Sequence, residues 1–174
     1  MAGSFQAGHA YLLDALERLG PGFVAVAQLE PSVTDEEVRA LDRAGVRAIR
    51  FNLRRGGALD VDLALRVHEL AGWHSEVYAV DLPAYEDRLR ELPRLVVDHM
   101  GMSADGLAAA VRLGAWVKVT PRYAGDVRAV DPDKLLFGTD LPATRSPRRF
   151  TPSDLERVPP AALDENPRRL YFPA

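Results

Sequence analysis

Two short apolar runs in this chain end abruptly in ionisable side chains. Leu95-Val96-Val97 leads into Asp98-His99-Met100-Gly101, and Leu135-Leu136-Phe137 leads into Gly138-Thr139-Asp140-Leu141-Pro142. A histidine moves protons near neutral pH or ligates a metal, and an aspartate serves as a general base or a metal ligand. If the two runs are strands whose ends converge, His99 and Asp140 form the catalytic pair of a hydrolytic site. The same two residues are then the candidate metal ligands. The structural alternatives are a core histidine satisfied by a carbonyl or a helix N-terminus, and an aspartate that caps the turn before Leu-Pro. Alternation puts His99 on the side of Leu95 and Val97, so it would cap an apolar column. Asp98 can orient His99, pair with an arginine or cap a loop, and the sequence does not choose among these.

Other polar groups sit where a pocket could use them. Arg50 and Asn52 close the run Val46-Arg47-Ala48-Ile49-Arg50-Phe51-Asn52, with Arg54 and Arg55 in the loop beyond. Guanidinium forks bind carboxylates in bidentate fashion, so this cluster suits an anionic substrate. The alternative is a solvated basic loop. His74, Glu76 and Tyr78 share one face of their run, which lines a pocket or else faces solvent on an edge strand. Tyr78 lies nearest the carboxyl end. Lys118 stands inside the run Trp116 to Thr120 and needs a partner if it is buried. It is either an anion anchor or a side chain that reaches outward. Arg122, just past that run, is placed like Arg54. The candidate substrate-binding set is therefore Arg50, Asn52, Tyr78, Lys118 and Arg122. No glycine-rich phosphate loop and no G-x-S-x-G elbow occurs.

The elements that must position these groups alternate along the chain. Six strand candidates (23–27, 46–52, 74–80, 95–99, 115–120 and 135–140) are separated mostly by helical stretches. An amphipathic helix over 8–19 precedes them through Leu12, Leu13, Leu16 and Leu19. Thr34 followed by Glu37 reads as a capping box that opens the next helix. Further helices are expected over 62–70, 82–92 and 104–113. The connection 121–133 is short for a parallel crossover. Valine- and leucine-rich runs alternating with helices specify an α/β fold with a parallel sheet buried on both faces. In such folds chemistry gathers at the carboxyl ends of the strands.

Composition limits the partners. The 174 residues suffice for a single domain spanning 1–174. A formal net charge of −3 argues against nucleic acid. The absence of cysteine excludes disulfides, thiolate metal sites and a cysteine nucleophile. The first residues carry no basic charge and no long apolar core, and no run reaches the length of a membrane span, so a cytoplasmic protein is expected.

The stretches Gly45 to Asn52, Gly72-Trp73-His74, Val96 to Gly101, Trp116 to Thr120, Gly138 to Pro142 and Glu165 to Tyr171 occur in an order that resembles the amidohydrolase-related (amidohydrolase 2) family. The similarity is to the branch containing pyrone dicarboxylate lactonase. The resemblance implies a TIM-type (β/α)₈ barrel hydrolase. His99 would be its sixth-strand histidine, Asp140 its eighth-strand aspartate and proton-transfer residue, and Arg50 its substrate-carboxylate arginine. It implies hydrolysis of an ester, lactone or amide bond of a small carboxylated substrate. A divalent metal (zinc or manganese) would assist, or the mechanism would be metal-free as in some members of the branch. The His-x-His pair that ends the family's first strand is absent, and His9 stands alone in Gly8-His9-Ala10. The first strand here matches the family's third. The expectation is an incomplete barrel of about six parallel strands whose open edges favour a homo-oligomer. The competing readings are a catalytically inactive fragment and an open doubly wound α/β module that binds a small ligand.

Overall fold

The structure is a computed structural model that describes residues 8–143 and 146–172. Its centre is one sheet of six parallel strands in chain order: β1 (Ala25–Ala27), β2 (Val46–Asn52), β3 (His74–Tyr78), β4 (Leu95–Val97), β5 (Trp116–Val119) and β6 (Leu135–Phe137). Helices α1 (Ala10–Leu19), α2 (Asp35–Arg43), α3 (Val61–Ala71), α4 (Glu86–Leu89) and α5 (Ala104–Arg112) lie before or between the strands, and α6 (Glu165–Tyr171) ends the chain. Among the described residues no helix is long and apolar enough to cross a membrane.

Local chemistry starts and stops these elements. Thr34 Oγ1 accepts the Glu37 amide at 3.2 Å, and Glu37 Oε2 accepts the Thr34 amide at 2.7 Å, so the capping box forms as its spacing implies. Asp60 caps α3 through the Leu63 amide, and Ser103 caps α5 through the Gly106 amide. Gly72 ends α3 in the left-handed region at φ 69°. One stretch differs from the sequence expectation: the helix over 82–92 shrinks to a 3₁₀ turn and the four-residue α4. The β5–β6 connection holds two 3₁₀ turns and no α-helix, in keeping with its shortness.

Register sorts the side chains into two faces. Ile49, Phe51, Val77, Val97, Val117 and Val119 point toward the helices and build the main core. Arg50, Glu76, Val96, Trp116, Lys118 and Leu136 share the opposite face. That face is concave, because Arg50 on β2 reaches Asp98 beyond β4, and Glu76 on β3 reaches Lys118 on β5. The sheet thus curls into part of a barrel.

The lower part of the concave face is covered from within. Leu170 of α6 packs on Val96 and Leu136, with Trp116 and Tyr171 alongside. Leu170 and Phe172 also line a cavity of ≈ 370 Å³ with Arg47, Trp73 and Arg94, which mark the amino ends of β2, β3 and β4. Leu170 is only 2% exposed. Leu170→Ala should therefore cost roughly 2–5 kcal/mol in urea unfolding, the range for a buried leucine that leaves a cavity. A loss below about 0.5 kcal/mol, typical of a surface substitution, would mean that α6 does not pack inside the curl.

Candidate active site

The carboxyl ends of β2 to β6 bring the predicted polar groups together. The turn that carries His99 is unusual. Strand β4 stops at Val97, and His99, Met100 and Gly101 follow with φ of 54°, 56° and 69°. Non-glycine residues rarely occupy the left-handed region, so this backbone holds strain that packing must offset. Gly101 and Gly106 touch so closely that a Cβ on Gly106 would lie 2.1 Å from the Gly101 carbonyl oxygen. Only glycine lets the turn fold onto the start of α5.

The turn corrects one expectation. His99 does not share a face with Leu95 and Val97, which point into the helix-side core. The left-handed backbone breaks the alternation and swings the imidazole to the concave side. There its ring stands edge-on to Tyr78 with centroids 4.9 Å apart, and Nδ1 lies 2.8 Å from Thr120 Oγ1.

Tyr78 is the hub of the mouth. The guanidinium groups of Arg50, Arg54 and Arg122 lie 5.5, 5.8 and 6.0 Å from its ring centroid, within cation–π range. Arg122 Nε and Nη2 donate to Asp140 Oδ2 at 3.0 and 2.9 Å. The Arg122 amide donates to Thr120 Oγ1 at 3.3 Å. Thr120 and Arg122 therefore link His99 to Asp140. Asn52 is 6% exposed, and its Oδ1 has no partner among the described residues.

Beneath the mouth lies a buried chain of charges. Arg50 Nε and Nη2 donate to Asp98 Oδ2 at 2.9 and 2.7 Å. Lys118 Nζ lies 3.1 Å from Asp98 Oδ1 and donates to Glu76 Oε2 at 2.7 Å. The Tyr171 hydroxyl donates to Glu76 Oε1 at 2.5 Å. The role of Asp98 is thereby settled as an ion-pair partner. Lys118 is an anchor whose anions come from the protein. His74 lies lowest, 3.5 Å from Glu76 Oε1 and edge-on to Tyr171. His9 stands apart, with Nε2 2.9 Å from the Gln28 carbonyl.

Sequence reasoning missed Thr120 as a partner of His99, although it lies two residues beyond Lys118 on the same face. It also missed Arg157, which donates to the Thr120 and Tyr123 carbonyls at 3.2 and 3.0 Å. Arg157 lies in the proline-rich tail, where no periodic signal marks it.

Burial and charge oppose each other throughout. Burial alone would raise Glu76 and Asp98, but Lys118 with His74, and Lys118 with Arg50, hold both carboxyls below their usual range. Burial would lower Lys118, but Asp98 and Glu76 hold it well above. For His99 the compensation is incomplete. Burial pulls it down to about 4, with Asp98 and Asp140 only partly opposing, so it is neutral at pH 7.

A metal of the zinc type takes three or four protein donors. Among the described residues no group of three or more His, Asp or Glu converges. Arg122 already engages Asp140, and Thr120 engages His99 Nδ1. These residues do not fit a metal.

The His99 shift has a measurable consequence. A free histidine titrates near about 6.5, against about 4 here. Between those values the unfolded chain binds a proton that the folded chain refuses, so stability falls as pH drops from about 6.5 toward about 4. The full effect is roughly 3 kcal/mol. Burial lowers His74 as well and adds in the same direction. Urea unfolding of His99→Gln should show a flatter slope between about pH 6.5 and 5, above the range where the carboxylates contribute. A slope equal to that of the parent chain would contradict a buried neutral His99.

The amidohydrolase family profile matches residues 3–172. The 2-pyrone-4,6-dicarboxylate hydrolase of Comamonas testosteroni is 29% identical over 219 residues, covering 93% of this chain and 71% of that protein. That match is longer than this chain, so the relative carries internal segments that are lacking here. The 4-sulfomuconolactone hydrolase of Rhizobium radiobacter is 27% identical over 168 residues, covering 75% of this chain and 55% of that protein. A crystal structure from Pseudomonas putida, described as a 2-pyrone-4,6-dicarboxylic acid hydrolase, superposes with a TM-score of 0.75 at 26% identity, over 94% of this chain and 77% of that one. A protein of Agrobacterium tumefaciens shares the fold with a TM-score of 0.81 at 21% identity, over 100% of this chain and 79% of that one. The strand order, the concave site and the profile match together place this chain in the amidohydrolase family of hydrolases.

Proposed function

We propose that the mouth of this partial barrel hydrolyses the ester bond of a small lactone bearing carboxylates, without a metal. The observation that carries the reading is the ring of guanidinium groups from Arg50, Arg54 and Arg122 around Tyr78, beside His99 and Asp140. Cations over an aromatic floor suit a flat anionic ring. The names of the relatives from Comamonas testosteroni and Rhizobium radiobacter point to substrates of the same class.

Each residue then has a role. Arg50 and Arg122 take substrate carboxylates, Asn52 Oδ1 accepts from a hydroxyl or water, and Tyr78 supports the ring. Lys118 serves the substrate indirectly, through Asp98 and Arg50. Asp140 accepts a proton from water as the oxygen attacks the lactone carbonyl. In this reading the Thr120 hydroxyl, which accepts the Arg122 amide, donates its proton to His99 Nδ1. Neutral His99 then carries its proton on Nε2 and donates to the developing oxyanion. Collapse expels the ring oxygen, which recovers the proton from Asp140. One water enters, one C–O bond breaks, and the product is an open-chain acid. Arg122 competes with the water for Asp140, so turnover should be slow.

A second reading is a carboxylate-binding module without turnover. The ion pair that holds Asp140 on Arg122 favours it.

The assay is hydrolysis of 2-pyrone-4,6-dicarboxylate. Slow turnover should persist in EDTA and be unchanged by added zinc or manganese. Asp140→Asn should lower kcat roughly 10²–10⁴-fold, and Arg50→Met should mainly raise KM. Binding without turnover would select the second reading, and metal-dependent turnover would overturn the proposal.

A further inference from the structure

The groups beneath the mouth form a linear chain in which each carboxylate gives one oxygen to each neighbour. The Tyr171 hydroxyl holds Glu76 Oε1, while Glu76 Oε2 holds Lys118. Lys118 spans to Asp98 Oδ1, and Asp98 Oδ2 takes both contacts from Arg50. The chain runs from α6 through β3 and β5 to the end of β4 and back to β2. Glu76 is fully buried and Asp98 only 3% exposed, so water cannot readily replace a lost member. Its two acids and two cations cancel, and the phenol is the neutral donor at its foot.

We propose that Tyr171 is a positioning residue for Arg50. By fixing Glu76 it fixes Lys118 and Asp98, and so sets the direction in which the guanidinium meets the substrate carboxylate. The role of Arg50 in that step rests on the function proposed above. The path from Tyr171 to Arg50 rests on geometry alone. Removing the hydroxyl frees Glu76 Oε1 to turn toward His74 Nε2, which is 3.5 Å away and has no hydrogen-bond partner among the described residues. That turn carries Glu76 Oε2 off Lys118 and loosens Asp98.

Two measurements separate the parts. The first is the ¹⁵N–¹H resonance of Arg50 Nε, which reports its bond to Asp98 without any ligand. Tyr171→Phe should shift or broaden it. Arg169→Ala should leave it in place, because that change disturbs the same helix at Trp116 without touching the chain. A fluorinated tyrosine at 171 is a better donor that preserves the packing, and it should shift the resonance in the opposite direction to Tyr171→Phe. The second measurement is calorimetric binding of isophthalate, a flat dicarboxylate with no hydrolysable bond. Its Kd should rise about tenfold in Tyr171→Phe, a change of about 1.4 kcal/mol, and stay within twofold in Arg169→Ala. An Arg50 resonance unmoved by either change at Tyr171 overturns the proposal, as does one moved equally by Arg169→Ala. A resonance that shifts as expected in a protein that does not bind isophthalate upholds the relay and refutes carboxylate binding at Arg50.

Discussion

Lys118 cannot stand in the sheet without Glu76 and Asp98. An ammonium buried on a concave strand face is expensive unless anions meet it at hydrogen-bond distance. Both carboxylates do so, at 2.7 and 3.1 Å, one from β3 and one from the turn that follows β4. Asp98 then requires Arg50 to balance it, and Glu76 requires a donor for its second oxygen. This one set of demands fixes the curvature between β2 and β5, the position of α6 beneath the mouth and the guanidinium at the rim. The cost of burial is returned as direction: Arg50 cannot swing freely, because two of its nitrogens are held.

The same constraint explains how the lower inner face of a six-stranded sheet is covered. Among the described residues no strands lie opposite that face. Leu170 and Tyr171 stand over Val96, Leu136 and Glu76 in their stead. The face divides into a lower apolar part under α6, a charged middle and a polar mouth. Strand alternation sets most of the lower and middle layers, whereas the turn after β4 and the loops that carry Arg122 and Asp140 set the mouth.

Much of this was legible in the chain. Valine-rich runs alternating with capped helices specified the parallel sheet and its order, because periodicity and caps are local properties. Arg50, Tyr78, Lys118 and Arg122 were found because they interrupt apolar runs near strand ends, where buried charge needs a reason. What escaped depends on contacts distant in sequence. Nothing local links Tyr171 to Glu76, which lie 95 positions apart, or Asp98 to Arg50, 48 apart. His99 lies past the end of its strand, as its sequence position implies, but on the face opposite to the one that alternation gives. Alternation was carried two residues past the end of β4, where the backbone turns left-handed. The glycine after His99-Met100 was the available signal for that turn.

The central claim is that these buried charges exist as a mutually neutralising set. A double-mutant cycle on Glu76→Gln and Lys118→Met, read by urea unfolding at neutral pH, tests it most directly. Each single change strands a buried charge and should cost roughly 3–5 kcal/mol. The double change leaves the Asp98–Arg50 pair balanced and should cost several kcal/mol less than the sum of the two. Strictly additive losses would show that Glu76 and Lys118 do not neutralise each other, and the account of the concave face would fail.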